Sequence, residues 1–529
     1  MSEAHETGLR GMVQRLRARL GAVWIAAGAA VFGALFVYAS LWSAKSPAIA
    51  VTVALIAVVA AAALRKLRTT PSSLALLLAG LGVYATYFSY TGPRQRDSDA
   101  SEHVAYIEWL LKNHSLPPAD RCVVCHHPPL YYVTSAAVWR AAEWTGLSHP
   151  EVALQLWSFV LFTVFAAVSA RTLEHLLDKP YLRTLALSLI VFWPYSVLNS
   201  ERVSNDLMLY PLAALCFHAL VRWSKEGKAW LLAGACVSAG VALLVKSNAL
   251  VLVTLVGAGA ALGAVYATDR KRLLKRAAIP TAALLVFALG LELARGRPDE
   301  SLVGKVLGSA YRPTAAYTTP RTLRYYLTFD PTAIVRGPYV DTLHFRSQEP
   351  SFWNHLIKSS LFGTRNPPRF WLVGAVEANA QLASAENAAL LALLGTLLVG
   401  AAITVRDSSR VKTLCLLYAG AFTASALTLH LIAPLGFHAD FRLIYPVVVP
   451  VSTLFAMAVD GMRRRRLFLW HAGYITSSVF VVLAVAYFMP FTFPSTRLPT
   501  SILAPNFKFP HAPAPPRTPP PAPSSPISR

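Results

Sequence analysis

Residues 246–272 of the chain read KSNALVLVTLVGAGAALGAVYATDRKR. No charged side chain occurs between Asn248 and Tyr266, and about 20 apolar residues are enough for an α-helix to cross the hydrocarbon core of a bilayer. A single lysine, Lys246, precedes the run, whereas a dense basic cluster follows it at 270–272. Basic clusters are typical of the cytoplasmic end of a membrane helix. The stretch therefore predicts a transmembrane helix whose C-terminal end faces the cytoplasm.

Apolar runs of this kind recur along the chain, and 55% of its 529 residues are hydrophobic. The runs predict transmembrane helices at 22–43, 47–64, 72–90, 152–170, 183–200, 207–223, 230–246, 248–266, 277–294, 385–405, 413–433, 442–460 and 471–490. We therefore predict an all-α polytopic membrane protein with about thirteen transmembrane helices. A soluble protein is excluded.

The excess of basic residues follows the topology of these helices. Lys and Arg outnumber Asp and Glu by 49 − 26 = 23, an excess that nucleic acid, anionic lipid or membrane topology can each explain. The basic residues concentrate in connections between alternate apolar runs, at 10–19, 65–68, 171–183, 222–228, 270–276, 406–412 and 463–466. This is the positive-inside pattern, so we predict a cytoplasmic N-terminus, an outside C-terminus and no nucleic-acid partner. The predicted location is the cytoplasmic (inner) membrane.

Two long polar segments divide the chain and fall on the same, outside, face. The resulting regions are three N-terminal spans (1–90), a first outside loop (91–151), a membrane core (152–294), a second outside loop (295–384), C-terminal membrane helices (385–490) and a Pro-rich tail (491–529). Loops of this length usually carry function, and the composition of the tail favours an extended segment without a core.

The first outside loop contains RDSDASEHVAYIEWLLKNHSLPPADRCVVCHHPPLYY, from Arg96 to Tyr132. The apolar residues of 101–113 share one helical face, which predicts a short amphipathic helix. A second amphipathic helix is predicted to start at Pro128-Pro129 and to end near Trp144, because proline suits a first turn. Both helices are expected to lie at the membrane surface.

Carboxylates and histidines gather at the start of this loop. Asp97, Asp99 and Glu102 can provide a general base, can hold a divalent cation beside a phosphate, or can simply cap a helix. His103 and His127 can contact phosphate, and His103 with Asp99 is the candidate metal pair, since imidazole and carboxylate suit zinc or manganese. A divalent cation is thus a possible cofactor at this cluster, and its identity stays open.

Cys122-Val-Val-Cys125-His126 has two competing interpretations. It matches the pattern of covalent haem attachment, but a haem also needs an axial ligand and an enclosing apolar domain. On an oxidising face, a disulfide between Cys122 and Cys125 is the preferred interpretation, and free thiols are the next.

Three further groups of polar residues stand at the outside ends of predicted helices. They are the segment 201–206 with Arg202 and Asp206, then Lys246, and then the segment 438–442 with Arg442. A salt bridge within the first segment and snorkelling of Lys246 to the interface are the simpler explanations. A single outside pocket that binds a lipid-borne anion explains all of them together with the first loop.

The residues of these groups resemble a known family. Asp99-Ala100, His103, His127-Pro-Pro-Leu-Tyr-Tyr132, Ser204-Asn205-Asp206 and Lys246 are similar to the pattern of the GT-C superfamily of polyprenyl-phosphate-sugar-dependent glycosyltransferases. Protein O-mannosyltransferases and the lipid A aminoarabinose transferase belong to that group. The resemblance covers about 92–250 and continues more weakly to about 446.

The resemblance implies roles for individual residues. An aspartate in the first outside loop, matched by Asp99, is the catalytic base or a metal-holding carboxylate, and basic side chains matched by Lys246 and Arg442 meet the donor phosphate. Two departures are visible: two extra helices precede the catalytic loop, and the acidic signature is Asp-Ser-Asp instead of Asp-Glu. Asp97 therefore competes with Asp99 for the catalytic role.

Together these observations predict a membrane glycosyltransferase, hexosyl or pentosyl, that moves a sugar from a polyprenyl-phosphate donor to a protein, lipid or glycan. Arg202, Lys246 and Arg442, with His127, would offset the charge on the leaving phosphate. His103 and Asp206 complete the predicted substrate-binding set. The alternative is a secondary transporter or lipid-intermediate flippase, which predicts charges near the bilayer midplane and an inverted repeat. Neither feature is visible in the sequence.

Overall fold

The computed structural model describes residues 23–37, 47–66, 69–93, 99–118, 121–122, 124–266, 269–294, 322–340, 342–343, 346–364, 376–407 and 409–489. The N-terminal half contains helices α1 (Val23–Val37), α2 (Pro47–Lys66), α3 (Pro71–Tyr90), α4 (Ala100–Asn113), α5 (Leu130–Trp144), α6 (Glu151–Leu176), α7 (Pro180–Phe192), α8 (Pro194–Asn199), α9 (Asp206–Glu226), α10 (Ala229–Leu243), α11 (Leu250–Val265) and α12 (Arg270–Ala294).

The C-terminal half continues with α13 (Leu323–Leu327), α14 (Pro331–Arg336), α15 (Phe352–Phe362), α16 (Val376–Ile403), α17 (Arg410–Ile432), α18 (Val448–Arg464) and α19 (Leu469–Tyr487). A two-stranded antiparallel hairpin pairs β1 (Thr342–Leu343) with β2 (Arg346–Ser347). Short 3-10 turns at Ser247–Ala249, Gly436–Ala439, Phe441–Leu443 and Tyr445–Val447 precede α11 and α18.

The predicted all-α membrane fold is confirmed. Among the described residues, nine helices are long and apolar enough to cross a membrane, and three shorter apolar helices accompany them at α1, α7 and α10. With α2, a helix occupies each of the thirteen positions predicted from the apolar runs. Helices α12, α16 and α19 expose large apolar residues on the outside of the bundle, as expected of helices that contact lipid.

The predicted helix at 183–200 differs from the structure in being broken. Pro194 has no backbone N–H and favours an extended conformation in the residue before it. Trp193 accordingly has ψ 129°, so α7 ends at Phe192 and the short helix α8 begins at Pro194. The break redirects the chain toward the segment that carries Arg202.

The two ends of the helix bundle differ in composition. We call the end that carries the described residues within 99–149, 199–206, 244–249, 322–364 and 433–447 the loop face, and the opposite end the basic face. At the basic face the cations contact neighbouring helix ends: Lys179 Nζ lies 2.7 Å from Asp460 Oδ1, and Arg410 Nη2 donates to the Tyr266 carbonyl over 2.8 Å.

The two helices predicted in the first loop are present as α4 and α5. Tyr132 of α5 hydrogen-bonds His103 of α4, with 2.9 Å between its hydroxyl and Nδ1, and stacks on Tyr106. The N–H of Leu130 donates to the carbonyl of Leu244 over 3.0 Å. The HPPLYY motif therefore joins the first loop to the segment that carries Lys246.

The second loop packs on the end of α17 that lies at the loop face. The Tyr326 hydroxyl lies 2.9 Å from His430 Nδ1, and Trp353 Nε1 donates to the Tyr326 carbonyl over 2.8 Å. Asn354 fixes the start of α14 by donating to the carbonyl of Asp330 over 2.9 Å. The described part of this loop is thus a folded layer over the membrane helices.

Candidate active site

The structure brings Asp99 of the first loop to Arg442, 343 residues later in the chain. Arg442 Nη1 donates to Asp99 Oδ2 over 2.6 Å, and Arg202 Nη2 lies 4.0 Å from the same oxygen. Asp99 precedes α4, but its side chain makes no cap hydrogen bond there. Its carboxylate therefore serves the contact with the two arginines and does not cap the helix.

A second carboxylate holds the other side of Arg442. Asp440 Oδ2 lies 3.6 Å from Arg442 Nε, and Asp440 Oδ1 accepts the backbone N–H of Arg442 over 2.9 Å. The Thr364 hydroxyl donates to Asp440 Oδ2 over 3.0 Å. Since Asp440 is buried, this arrangement fixes the guanidinium of Arg442 at the loop face.

A buried ion pair lies beside this group. Lys246 Nζ is 2.6 Å from Asp206 Oδ1, and the Asp206 side chain is only 1% exposed. Both residues interact electrostatically with Arg202 and Arg442. We call the six residues Asp99, Arg202, Asp206, Lys246, Asp440 and Arg442 the charged cluster. It contains three cations and three carboxylates, drawn from four separate segments of the loop face.

The cluster shifts the pKa values of Asp99 and Asp440 in opposite directions. Burial opposes the ionisation of Asp99, but Arg442 and Arg202 outweigh it and hold the pKa of Asp99 well below its usual range. At Asp440 burial dominates and raises the pKa of the carboxyl, although Arg442 opposes the shift. Asp99 is therefore the fully ionised partner of Arg442 at neutral pH.

Tyrosines that sequence reasoning missed line the cluster. The Tyr195 hydroxyl accepts from Arg202 Nη1 over 3.0 Å, and the Tyr210 hydroxyl donates to the Arg442 carbonyl over 3.1 Å. Tyr195 fell within a span predicted to be continuous, so only the proline that follows Trp193 could have signalled its special position. Tyr210 is one turn into α9 and carries no local signal.

The remaining predicted residues lie around the first-loop turn. His103 is buried one turn after Asp99 and contacts Tyr132, while the ring of His127 lies 4.2 Å from that of His126. Cys122 and Cys125 form a disulfide, with 5.0 Å between their Cα atoms, so in this state neither sulfur is available for a haem thioether. Asp97 lies outside the described residues.

The described side chains around Asp99 do not form a donor set that fits a divalent cation. Among the described residues no group of three or more His, Cys, Asp or Glu side chains could hold a metal ion. Of the candidate pair, Asp99 faces two guanidiniums and His103 Nδ1 is hydrogen-bonded to Tyr132. A divalent cation at this carboxylate would be repelled by both arginines.

Comparison with known proteins finds one family. The family described as dolichyl-phosphate-mannose-protein mannosyltransferase matches residues 129–299. The matched segment contains Arg202, Asp206 and Lys246, whereas Asp99 and Arg442 reach the cluster from outside it. A comparison with curated proteins finds no match. Over residues 129–299 the chain is therefore similar to the dolichyl-phosphate-mannose-protein mannosyltransferases, which confirms the predicted resemblance to GT-C membrane glycosyltransferases.

Proposed function

We propose that this protein transfers a sugar from a polyprenyl-phosphate donor to a protein, lipid or glycan acceptor at the outer face of the cytoplasmic membrane. The observation that supports this most is that Arg202, Lys246 and Arg442 lie close enough to interact electrostatically at one end of the membrane helices, with Arg442 paired to Asp99. Cations at the end of a bundle can meet the phosphate of a lipid whose chain stays in the bilayer. The similarity over residues 129–299 supports the same class of donor.

The three cations form the phosphate site in this proposal. Arg442 presents a planar fork of donors that suits phosphate oxygens, and Lys246 adds a compact point charge. As the bond between the anomeric carbon and the phosphate oxygen breaks, negative charge grows on the phosphate. Cations fixed in advance by Asp206 and Asp440 stabilise that charge without having to reorganise.

Asp99 is the proposed base. Because it is paired with Arg442, the donor phosphate has to bind before Asp99 can accept a proton. While Arg442 holds Asp99, the carboxylate is a weak base, because the guanidinium lowers its proton affinity. A donor phosphate competes for the same guanidinium and weakens this pairing. The released carboxylate then takes the proton of the acceptor hydroxyl or amine as its oxygen or nitrogen attacks the anomeric carbon. Polyprenyl phosphate leaves with the bonding electron pair, and the configuration inverts.

The experiment is a transfer assay with purified protein and a polyprenyl-phosphate sugar. Asp99→Asn should lower transfer by at least about a hundredfold, the scale of a lost general base. Glu102→Gln is the matched control, since it removes one carboxylate from the first turn of the same helix, and it should retain transfer. If Asp99→Asn keeps full activity while Asp97→Asn loses it, the assignment of the base is wrong.

A transporter is less well supported by the geometry. The charged cluster lies where helices begin and end, whereas transport sites are usually found near the bilayer midplane. Movement of labelled substrate into proteoliposomes without a covalent product would nevertheless contradict the proposed enzyme. The identity of the sugar can be read from the envelope glycans that are lost when the gene is deleted.

A further inference from the structure

Three buried oxygen atoms without a hydrogen-bond partner flank the pair of Lys246 and Asp206. They are Asn205 Oδ1, Ser247 Oγ and Asn248 Oδ1, and none of them has a partner within the part of the chain that the structure describes. Asn205 is only 1% exposed. Buried polar atoms are nearly always paired in folded proteins, because an unpaired one loses its hydration without compensation. Three such atoms on the chain neighbours of one buried ion pair therefore point to a ligand.

The three atoms belong to residues that are chain neighbours of the Lys246–Asp206 ion pair. Asn205 directly precedes Asp206, and Ser247 and Asn248 directly follow Lys246 in the 3-10 turn that leads into α11. The 2.6 Å ion pair of Lys246 and Asp206 joins the two segments. Asn205 Nδ2 also donates a hydrogen bond to the Val245 carbonyl over 3.4 Å. The amide nitrogen of the side chain is therefore held next to Lys246.

A capping role does not explain Asn205. It occupies the position before the first residue of α9, where asparagine commonly accepts a backbone N–H of the first turn. Its side chain makes no such cap hydrogen bond. Asn205 is therefore buried although its side-chain oxygen does not cap the helix.

The chemistry of the three atoms identifies the class of ligand. Carboxamide oxygens accept hydrogen bonds, and a serine hydroxyl can accept or donate. They stand next to a lysine that is proposed to bind the donor phosphate. In a sugar phosphate, the ring carries hydroxyl groups from the carbon next to the anomeric carbon onward, so hydroxyls must lie beside the phosphate. The polyprenyl chain has no group that could satisfy these oxygens.

We propose that Asn205, Ser247 and Asn248 bind hydroxyl groups of the sugar ring of the donor. This inference rests on the proposed function and extends it, because it separates a sugar subsite from the phosphate site formed by the cations. It also makes these residues determinants of which sugar is used, since a site that hydrogen-bonds a hydroxyl discriminates against a ring that lacks it.

The test compares two lipids on the full-length protein in nanodiscs: a polyprenyl-phosphate hexose and the bare polyprenyl phosphate. Wild type should bind the hexose-linked lipid more tightly. Asn205→Leu and Asn248→Leu keep the side-chain shape but remove the oxygens, and each should weaken binding of the hexose-linked lipid about tenfold, the effect of one lost hydrogen bond. Binding of the bare phosphate should not change.

Asn387→Leu is the control for general effects of removing a buried asparagine. Asn387 lies in α16, is fully buried and also has an oxygen without a partner among the described residues, but it belongs to another part of the bundle. It should leave both affinities unchanged.

The outcomes separate the two proposals. If wild type binds neither lipid, the proposed function fails and the inference fails with it. If wild type binds both lipids but the Asn205 and Asn248 variants weaken both equally, or weaken neither, the proposed function survives and the sugar subsite is refuted. If the variants weaken the binding of neither lipid, we conclude that water satisfies the three oxygens.

Discussion

The two ends of the membrane helices use the same charged residue types in different ways. At the basic face the pair Arg465 and Asp407 is 3.5 Å apart, with side chains 49% and 45% exposed. At the loop face the pair Arg442 and Asp99 is 2.6 Å apart, with exposures of 13% and 31%. Exposed pairs contribute little to stability and their cations mainly set topology. Ion pairs that are largely withdrawn from water and lie close to other charges are retained at a cost in desolvation, which indicates a functional demand.

Removing Arg442 should show this difference most strongly. Arg442→Gln leaves Asp99 and Asp440 without their guanidinium, and breaking a buried ion pair commonly costs about 3–5 kcal/mol. We expect a large fall in the melting temperature and complete loss of transfer. Arg442→Lys keeps the charge but lacks the fork of donors, so it should recover stability more than activity. Equal recovery of both would contradict a phosphate-binding role.

Lys246 offers a cleaner separation of stability from function. Lys246→Met leaves Asp206 buried without its partner and should destabilise the protein by several kcal/mol. The double variant Lys246→Met with Asp206→Asn removes both charges and should restore most of the stability. It should remain inactive, because the cation for the donor phosphate is still absent. Recovery of transfer in the double variant would show that the pair is only structural.

His438 should make the stability of the loop face depend on pH. Burial lowers its pKa to about 4. The unfolded chain binds the proton at a pKa of about 6.5, so the unfolded state is favoured as the pH falls from there toward 4. His438→Gln should flatten the pH dependence of the melting temperature in this window. An unchanged slope would mean that other groups, such as the buried His355, dominate it.

The disulfide should have a smaller effect. The bond between Cys122 and Cys125 closes a short turn. By restricting the unfolded chain it therefore adds only about 2 kcal/mol to the free energy of unfolding. The double variant with serine at both positions should melt a few degrees lower and should transfer several-fold more slowly, because this turn leads into HPPLYY. Reductant should reproduce the effect in wild type and have none in the variant.

Substitutions at the basic face should have the smallest effects on stability and transfer. Lys179→Ala removes a pair with Asp460 in which the lysine is 46% exposed, and such pairs are worth about 0.5 kcal/mol. Transfer should be unchanged. A loss of activity comparable with that of the loop-face variants would contradict the claim that only the charged residues of the loop face take part in transfer.

The sequence predicts the membrane part of the fold well because each membrane helix has a local signal, whereas the short helices α13, α14 and α15 of the second loop were not predicted. Apolar runs of sufficient length predicted the position of every membrane helix in the part of the chain that the structure describes, and Pro128-Pro129 predicted the start of α5. The break at Pro194 was missed, since the hydrophobicity on both sides of it is continuous. The Pro-rich tail and Asp97 lie outside the described residues, so the predictions for them stay predictions.

The site was predictable residue by residue but not as an arrangement. Topology placed Asp99, Arg202, Lys246 and Arg442 on one face, yet nothing local in the sequence links Asp99 to an arginine 343 residues away. Tyr195 and Tyr210 were missed because tyrosine in a membrane helix is ordinary. The contacts of these residues depend on how the helices pack, and that information is distributed over the whole chain.

The most direct test of the charged cluster measures the affinity for polyprenyl phosphate in Asp99→Asn beside Glu102→Gln. If the donor phosphate competes with Asp99 for Arg442, Asp99→Asn should bind polyprenyl phosphate more tightly, by about tenfold or 1.4 kcal/mol, while losing transfer. Glu102→Gln should change neither property. Weaker or unchanged binding in Asp99→Asn, or retained transfer, would contradict the account.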